Sequence, residues 1–302
     1  MRRLLPAFLA LCMALSLTAC SFRSSEERQQ MRAQMDYAKE APAVDSFDYA
    51  LDDGARLEPF ELYSSDEVTI TVLGIYETAD EYILPLRLLN TGKDWYSFYG
   101  NQCTINGWLT QGSIYEQVCP NGMVDAQFRL AKSDLPLSAG PVGEIDLNMS
   151  CSTTGDNGYH DISHTIFLRE VEDSTLDAIS IAQERGYSIF LLDCREDDYG
   201  FYIDLAVENT GDRYLTLYAD ANPPVINGMD SDLTCWDSVW LDPDTKTVMT
   251  LELNWYELEE CEVTSADEIQ SFYIDLELTR SNTSDYIPLE LDGETIQALL
   301  DK

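Results

Sequence analysis

The sequence predicts an all-β protein built from two tandem β-sandwiches. The first observation is an internal duplication, since residues 82–95 and 201–214 each run from alternating apolar residues into Asn90-Thr91-Gly92 and Asn209-Thr210-Gly211. Such self-similarity at a fixed spacing indicates a repeated structural unit. The second is a series of short apolar segments about ten residues apart, punctuated by Gly, Asn, Pro and Asp, which is typical of sandwiches. Each repeat has little more than about a hundred residues, a normal size for one such domain.

The chain begins with a basic and then apolar segment that ends in a cysteine. Met1-Arg2-Arg3 precedes an apolar run over residues 4–17, too short to span a bilayer comfortably but suited to a signal-peptide core. The run ends at Leu17-Thr18-Ala19-Cys20, which resembles the lipobox of bacterial lipoproteins. The resemblance implies cleavage before Cys20 and lipidation of its sulfur; an ordinary secretory signal is the alternative. We therefore expect residues 1–20 to be a signal peptide, and the mature chain to be lipid-anchored on the extracytoplasmic face of the bacterial cell membrane.

Residues 21–58 show no strand pattern. Residues 24–39 are rich in helix-forming side chains, with Ser25 as a cap, but carry few apolar positions. We expect a partly helical or disordered linker that is solvated, with a partner-binding helix as the alternative.

The two duplicated strands share one apolar face. Tyr82, Leu84, Leu86 and Leu88 alternate in the first copy, and Phe201, Ile203, Leu205 and Val207 occupy the equivalent positions in the second. A face that persists between copies while its reverse changes indicates a half-buried strand. Pro85 lacks a backbone donor, so it predicts an edge strand or a bulge. The Asn-Thr-Gly that follows predicts a structural turn, with a ligand contact as the alternative.

Further motifs recur in the same order in both copies and resemble a known family. They are Ile105-Asn106-Gly107, Asp134-Leu135 and Glu144-Ile145, and then Ile226-Asn227-Gly228, Glu257-Leu258 and Glu268-Ile269. With the two Asn-Thr-Gly turns, this order resembles the telokin-like, immunoglobulin-like domains of unknown function found on bacterial lipoproteins. The resemblance implies immunoglobulin-like sandwiches at residues 59–172 and 173–302. It implies no catalytic activity.

The chain is strongly acidic, with 55 acidic against 18 basic residues and a formal net charge of -37. Such a surface repels nucleic acid and anionic headgroups. Asp197-Asp198 and Asp242 to Asp244 have calcium-binding residue types, yet they lack the alternating ligands and glycine of a dedicated loop, so solvated acidic loops are favoured. We expect no metal and no cofactor.

The sequence offers few residues for catalysis. The two histidines, His160 and His164, fall in a strand setting where residues four apart are too distant to share a zinc ion. Cys151 near His160 has no orienting third group, so the sequence predicts no enzyme. Cys103 and Cys119 flank a predicted turn at Gln111-Gly112, which makes them a candidate disulfide, with buried thiols as the alternative.

Tryptophan carries the remaining functional prediction. Trp108, Trp236 and Trp240 lie in hairpins beyond the Asn-Gly motifs, where exposed rings beside carboxylates suit ligand contact, with core packing as the alternative. We expect a membrane-anchored binding or scaffold module for a cell-envelope protein, or else a glycan-binding accessory lipoprotein.

Overall fold

The computed structural model describes residues 24–136, 139–153, 159–170, 178–219, 222–231, 235, 237–280 and 283–301. The chain is mostly β, as predicted, with hydrogen-bonded sheets of 15 and 6 strands. The helices are α1 (Ser25–Glu40), α2 (Trp255–Leu258) and α3 (Gly293–Leu300), with 3-10 turns at Val44–Ser46, Glu259–Cys261 and Ala266–Glu268. The strands up to the middle of the chain are β1 (Phe60–Ser64), β2 (Val68–Val72), β3 (Tyr76–Glu77), β4 (Glu81–Asn90), β5 (Tyr96–Gly100), β6 (Gln102–Ile105), β7 (Trp108–Ser113), β8 (Tyr115–Val118), β9 (Gly122–Ala131), β10 (Glu144–Thr153) and β11 (Tyr159–Phe167). The remaining strands are β12 (Ile179–Glu184), β13 (Tyr187–Glu196), β14 (Gly200–Asn209), β15 (Leu215–Tyr218), β16 (Val225–Ile226), β17 (Met229–Asp230), β18 (Ser238–Leu241), β19 (Thr245–Asn254), β20 (Ser271–Arg280) and β21 (Thr283–Asp292).

The duplication seen in the sequence recurs in the strand pairing. In the first repeat (β1 to β11), β1 pairs β2, β2 pairs β4, β4 pairs β9, and β10 pairs β5, β6 and β11. In the second repeat (β12 to β21), β12 pairs β13, β13 pairs β14, β14 pairs β19, and β20 pairs β15, β16 and β21. Even the irregularity between Glu61 and Tyr63 returns between Ser180 and Ala182. The repeats therefore share topology and register, not only sequence motifs.

Each repeat has its own apolar core. Leu84, Leu86 and Leu88 of β4 are fully buried in the first, and Ile203 and Leu205 of β14 are fully buried in the second. The alternation predicted from the sequence therefore faces the two cores, and burial of these side chains contributes roughly 1.5–3 kcal/mol each.

Pro85 lies in a central strand, because β4 pairs β2 on one side and β9 on the other. The prediction of an edge strand is wrong, and β4 itself carries no bulge, because its pairing with β2 and with β9 runs without a shift in register. The pairing is interrupted in the partner, where β2 ends opposite Leu86, Leu73 N donates to Pro85 O at 2.8 Å, and β3 resumes opposite Ile83. The missing donor of proline is accommodated at this interruption.

The Asn-Thr-Gly motif is a structural turn in both repeats. Asn90 is fully buried; its Nδ2 donates to Asp94 O at 2.8 Å and Val118 O at 3.0 Å, and its Oδ1 accepts from Gly92 N. Asn209 repeats this arrangement, with Nδ2 donating to the carbonyls of Arg213, Leu241 and Asp242. One side chain thus satisfies several backbone groups that the core covers.

The Ile-Asn-Gly motif is a second duplicated turn. Asn106 and Asn227 both adopt φ of 52°, a left-handed conformation that asparagine tolerates. Asn106 Oδ1 accepts from Gly143 N and Glu144 N, and Asn227 Oδ1 accepts from the amides of residues 270 and 271. These bonds place Glu144 in register with Ser271 rather than with Glu268, so the sequence pairing of Glu144-Ile145 with Glu268-Ile269 was three residues off.

One side of the segment 24–58 lies against the first repeat, while most of its side chains stay exposed. Helix α1 begins with a capping box between Ser24 and Glu27, one residue before the predicted Ser25 cap. Gln34 is buried; it donates to Gln117 O at 2.7 Å and accepts from Cys119 N at 2.8 Å. The helix therefore satisfies backbone groups of the first repeat, which a solvated spacer cannot do.

A partly buried ion pair on the outward side of β4 and β9 holds the segment after the helix. Arg87 donates through Nε to Asp125 Oδ1 at 2.8 Å, through Nη2 to Oδ2 at 2.9 Å, and through Nη1 to Pro42 O at 2.7 Å. The Tyr37 hydroxyl also bonds Asp125, and Phe47 packs on the guanidinium of Arg87. A bidentate pair with further partners is a geometry in which a buried charge is well compensated.

The repeats meet where the β6–β7 hairpin of the first lies on β14 and β19 of the second. Lys246 N donates to Gly107 O at 3.0 Å, and Trp108 and Lys246 are parallel register partners. Trp108 is 1% exposed and packs with Ala139 and Ala206, while Leu109 joins the core of the second repeat. The two repeats therefore share a packed junction.

Candidate functional site

The predicted site residues have separate locations. Cys20 and Trp236 lie outside the described residues. Trp108 is buried at the junction under the ammonium of Lys246, 4.9 Å from the ring centroid, so it takes the packing alternative instead of ligand contact. The reason is that a neighbouring repeat covers it. Trp240 is 69% exposed on β18 and stays a candidate contact.

No disulfide joins Cys103 and Cys119. The hairpin reverses at Asn106-Gly107 and not at Gln111-Gly112, so Cys103 is paired with Thr110. Cys103 Sγ lies 3.2 Å from Asn148 N, whereas Cys119 Sγ lies 3.7 Å from Met31 O of α1. The predicted bridge is wrong because the two sulfurs face different neighbours.

The Cys151 and His160 pair is close but unsuited to nucleophilic chemistry. The two residues are register partners across β10 and β11. Cys151 is fully buried, and burial raises the pKa of its thiol to about 11, while the His160 ring packs beside Tyr63. A nucleophilic cysteine needs a lowered pKa and access to substrate. His164 packs on Phe60 with ring centroids 5.3 Å apart.

An open groove follows the junction of the two repeats, with a volume of about 800 Å³. We call it the inter-repeat groove; its polar walls include Gln111, Asp134, Asp193, Arg195, Asp204 and Thr250. Asp134 Oδ2 accepts from Gln111 N at 3.0 Å. On the opposite wall, Asp204 accepts from Thr250 Oγ1 at 2.7 Å and from Arg195 Nε at 3.3 Å. The groove thus presents fixed hydrogen-bonding groups with an excess of carboxylates.

The outward face of the sheet formed by β8, β5, β10 and β11 carries exposed tyrosines. Tyr115 is 65% exposed, Tyr99 is 37% exposed, and their ring centroids lie 5.5 Å apart. Tyr159 of β11 is also exposed. It lies on this face because its register partner Ser152 follows the core residue Cys151 in β10 and therefore points to the opposite, outward side. We call these three tyrosines, with the residues between them, the first aromatic face.

The second repeat has an equivalent face on β18, β15, β20 and β21. Tyr218 stands 119 positions after Tyr99, in the same register place on β15. Trp240 is the register partner of Thr216, and Tyr286, which is 60% exposed, is the register partner of Glu277. Tyr218, Trp240 and Tyr286 define the second aromatic face. Of these six residues, the sequence analysis selected only Trp240 as a site residue; period-two alternation with core residues is the signal that identifies the other five.

Within the described part of the chain, no group of three or more His, Cys, Asp or Glu side chains is arranged to hold a metal ion. Among the same residues, no helix is both long and apolar enough to cross a membrane.

The acidic hairpin tip at Asp197 has a structural role. Its Oδ1 accepts from Tyr199 N at 2.7 Å, from Gly200 N at 3.1 Å and from the Tyr202 hydroxyl at 3.1 Å. The Tyr199 amide in particular holds the pKa of this carboxyl below its usual range. The side chain therefore closes the turn between β13 and β14, in keeping with the predicted acidic loop.

Comparison with known proteins identifies no family. No family model matches the sequence, and no curated protein matches it. Among solved structures, one similar chain is a protein of unknown function from Porphyromonas gingivalis W83, at 11% identity and a TM-score of 0.22, covering 71% of this chain and 92% of that one. Another is the N-terminal periplasmic domain of ScsB from Proteus mirabilis, at 9% identity and a TM-score of 0.23, covering 79% of this chain and 98% of that one. At these scores neither structure informs the fold or the function.

Proposed function

We propose that the protein is an extracytoplasmic lipoprotein, anchored to a bacterial membrane through Cys20, that binds or scaffolds a cell-envelope partner. Its two repeats are then tandem immunoglobulin-like sandwiches within residues 59–172 and 173–302. The repeated pairing of β1 to β11 and β12 to β21, with a separate core in each repeat, supports this architecture.

The observation that carries the binding role is the combination of a fixed inter-repeat groove with two exposed aromatic faces. Trp108 and Leu109 hold the repeats together, so the groove walls keep their relative positions. Tyrosine and tryptophan supply large rigid contact area at low entropic cost and are enriched in recognition surfaces. Recognition rather than turnover is favoured because the burial that raises the pKa of Cys151 disfavours its nucleophilic form.

Anchoring is tested by metabolic labelling with a radiolabelled fatty acid and by membrane fractionation of the full chain and of Cys20→Ala. The label and the membrane association are expected to be lost in the variant. The matched control is Cys119→Ala, a cysteine that contacts α1 and that should leave the label in place. Label retained on Cys20→Ala would contradict the anchor.

The binding role is tested by site-specific photocrosslinking in intact cells. A crosslinking amino acid at Gln111 in the groove or at Tyr115 on the first aromatic face should capture one dominant species. The same probe at Tyr256, which is 82% exposed on α2, serves as the control for random collision. Equal yields at all three positions would argue against a specific partner.

A glycan ligand is the second candidate function. Trp240 favours it, because this exposed indole lies beside Thr216, its register partner on the second aromatic face.

A further inference from the structure

We propose that the two aromatic faces and the cleft between them bind an uncharged polysaccharide chain. This inference rests on the proposed function as a binding module and specifies its ligand class. It assigns the contacts to Tyr99, Tyr115, Tyr159, Tyr218, Trp240 and Tyr286.

The first aromatic face has rings above a floor of small hydroxyl residues. Ser97 and Ser150 lie between the tyrosines on the outward side of β5 and β10, but at 3% and 1% exposed they are covered by neighbouring side chains. They therefore support the rings, and direct contact with a sugar is left to the tyrosines, Gln117 and Asp161. Gln117 Nε2 donates to Ser97 Oγ at 3.2 Å, which fixes the floor. The apolar side of a sugar ring packs on an aromatic ring, while its hydroxyls exchange hydrogen bonds with hydroxyl and amide groups.

The second aromatic face repeats this composition with different residues. Thr216 and Thr279 lie beside Trp240, in register on β15 and β20. Glu277 lies between Tyr218 and Tyr286 in the next row. Each face thus combines exposed aromatic rings with small hydroxyl side chains and a carboxylate.

A cleft of about 390 Å³ has walls from both repeats, and we call it the face groove. Asn148 and Ser163 extend the outward rows of the first aromatic face into it. Asp242 follows β18, the strand that carries Trp240, and Thr245 is the first residue of β19. The cleft therefore adjoins strands that carry both aromatic faces, and a chain molecule has the length to extend from it onto a face, whereas a single sugar does not.

The charge of the two aromatic faces indicates which class of polymer they bind. The outward positions of β5, β8, β10, β11, β15, β18, β20 and β21 carry no lysine or arginine within the described residues. Carboxylates such as Asp161 and Glu277 lie among the aromatic rings, and the whole chain has a formal net charge of -37. A polyanion is repelled by this surface, and a polycation is attracted to all of it without preference for the faces. A neutral polymer is therefore the class of ligand that can bind the aromatic faces in preference to the rest of the surface.

The test is co-sedimentation of the full, detergent-solubilised chain with insoluble cellulose, chitin and β-1,3-glucan, at about 0.1 M and about 1 M NaCl. We expect retention on at least one polymer, unchanged by salt because stacking and neutral hydrogen bonds carry it. Tyr99→Ala/Tyr115→Ala and Trp240→Ala are each expected to lower the affinity about tenfold, the upper range for aromatic contacts. Tyr256→Ala is the matched control and should bind normally.

Three outcomes overturn the inference: no retention on any of the polymers, equal loss in Tyr256→Ala, or retention abolished by salt. If glycan retention fails while photocrosslinking at Tyr115 captures one protein, the ligand class is wrong and the binding role stands. If both assays fail, the proposed function fails with it.

Discussion

Buried side-chain amides carry much of the local order in both repeats. Asn90→Ala and Asn209→Ala are each expected to lower the free energy of unfolding by about 1–3 kcal/mol, because covered carbonyls lose their donors. Urea denaturation measures the change. Asn148→Ala is the control, since its amide makes one exposed bond to Gln102 O, and it should stay within about 0.5 kcal/mol. A similar loss of unfolding free energy in all three variants would contradict a particular role for the two buried asparagines.

Four buried thiols give the molecule a pH dependence. Burial raises the pKa of Cys103 to about 12, of Cys151 to about 11, of Cys194 to about 12 and of Cys235 to about 12, from 9.0. The folded state then keeps protons that the unfolded state releases, so this stabilisation is complete below about pH 9 and is lost as pH rises through the folded values.

We therefore expect the unfolding free energy, measured in reducing buffer, to fall between about pH 9 and pH 11. In Cys151→Ala this alkaline fall should be smaller than in the natural chain, each compared with its own value at neutral pH. The tyrosines are the same in both proteins, so the difference reports the thiol. An identical alkaline slope in the variant would contradict the assignment.

At the scale of elements, the Arg87–Asp125 ion pair and the bonds of Gln34 both hold residues 24–58 against the first repeat. Arg87→Ala leaves Asp125 unpaired and removes the bond to Pro42 O, so we expect a loss approaching about 3 kcal/mol, with the partial exposure of Asp125 lowering it. Amide hydrogen exchange over Ser25–Glu40 should accelerate.

The control for the Arg87–Asp125 ion pair is Lys39→Ala, which removes an exposed ion pair with Asp36. Exposed pairs contribute about 0–1 kcal/mol, so exchange over the helix should change little. Unchanged exchange in Arg87→Ala would mean that the helix docks without the ion pair.

Strand patterns and turns were predictable because their causes are local. The alternation of Leu84 and Leu86 and the turn at Asn90 follow from side-chain period and backbone chemistry, and the structure confirms both. The packing of residues 24–58 was not predicted, although Ile83 and Leu89 give the outward side of β4 apolar residues as well, which is the sequence signal for a second cover. Trp108 was misassigned because its cover is another repeat, and no local pattern encodes that contact.

At the scale of the whole molecule, Trp108 couples the repeats. Trp108→Ala is expected to lower the unfolding free energy by about 3–5 kcal/mol and to separate one transition into two. Trp240→Ala, at an exposed position, should stay within about 0.5 kcal/mol. Calorimetry with urea denaturation distinguishes the two variants, and a single unchanged transition in Trp108→Ala would contradict the coupling.

Separate expression of the two repeats tests the same coupling. The two segments 58–172 and 173–302 should each fold as a β-rich unit, but the first lacks α1 and the second exposes Ala206. We expect both to be less stable than in the full chain, with residues 24–172 restoring the first. If neither fragment folds, the two cores are not independent.

The junction also decides how many repeats can follow one another. In both repeats the same outward face is covered: Ala206 and Val248 by the tip that carries Trp108, and their register equivalents, Arg87 and Asp125, by residues 24–58. A contact between two different surfaces of equivalent units propagates into a filament unless something blocks it. Here the receiving face of the first repeat is occupied by its own chain, and the second repeat has Met229 at the tip position where the first has Trp108. Among the residues that the structure describes, the mode of contact that joins the repeats is therefore made once.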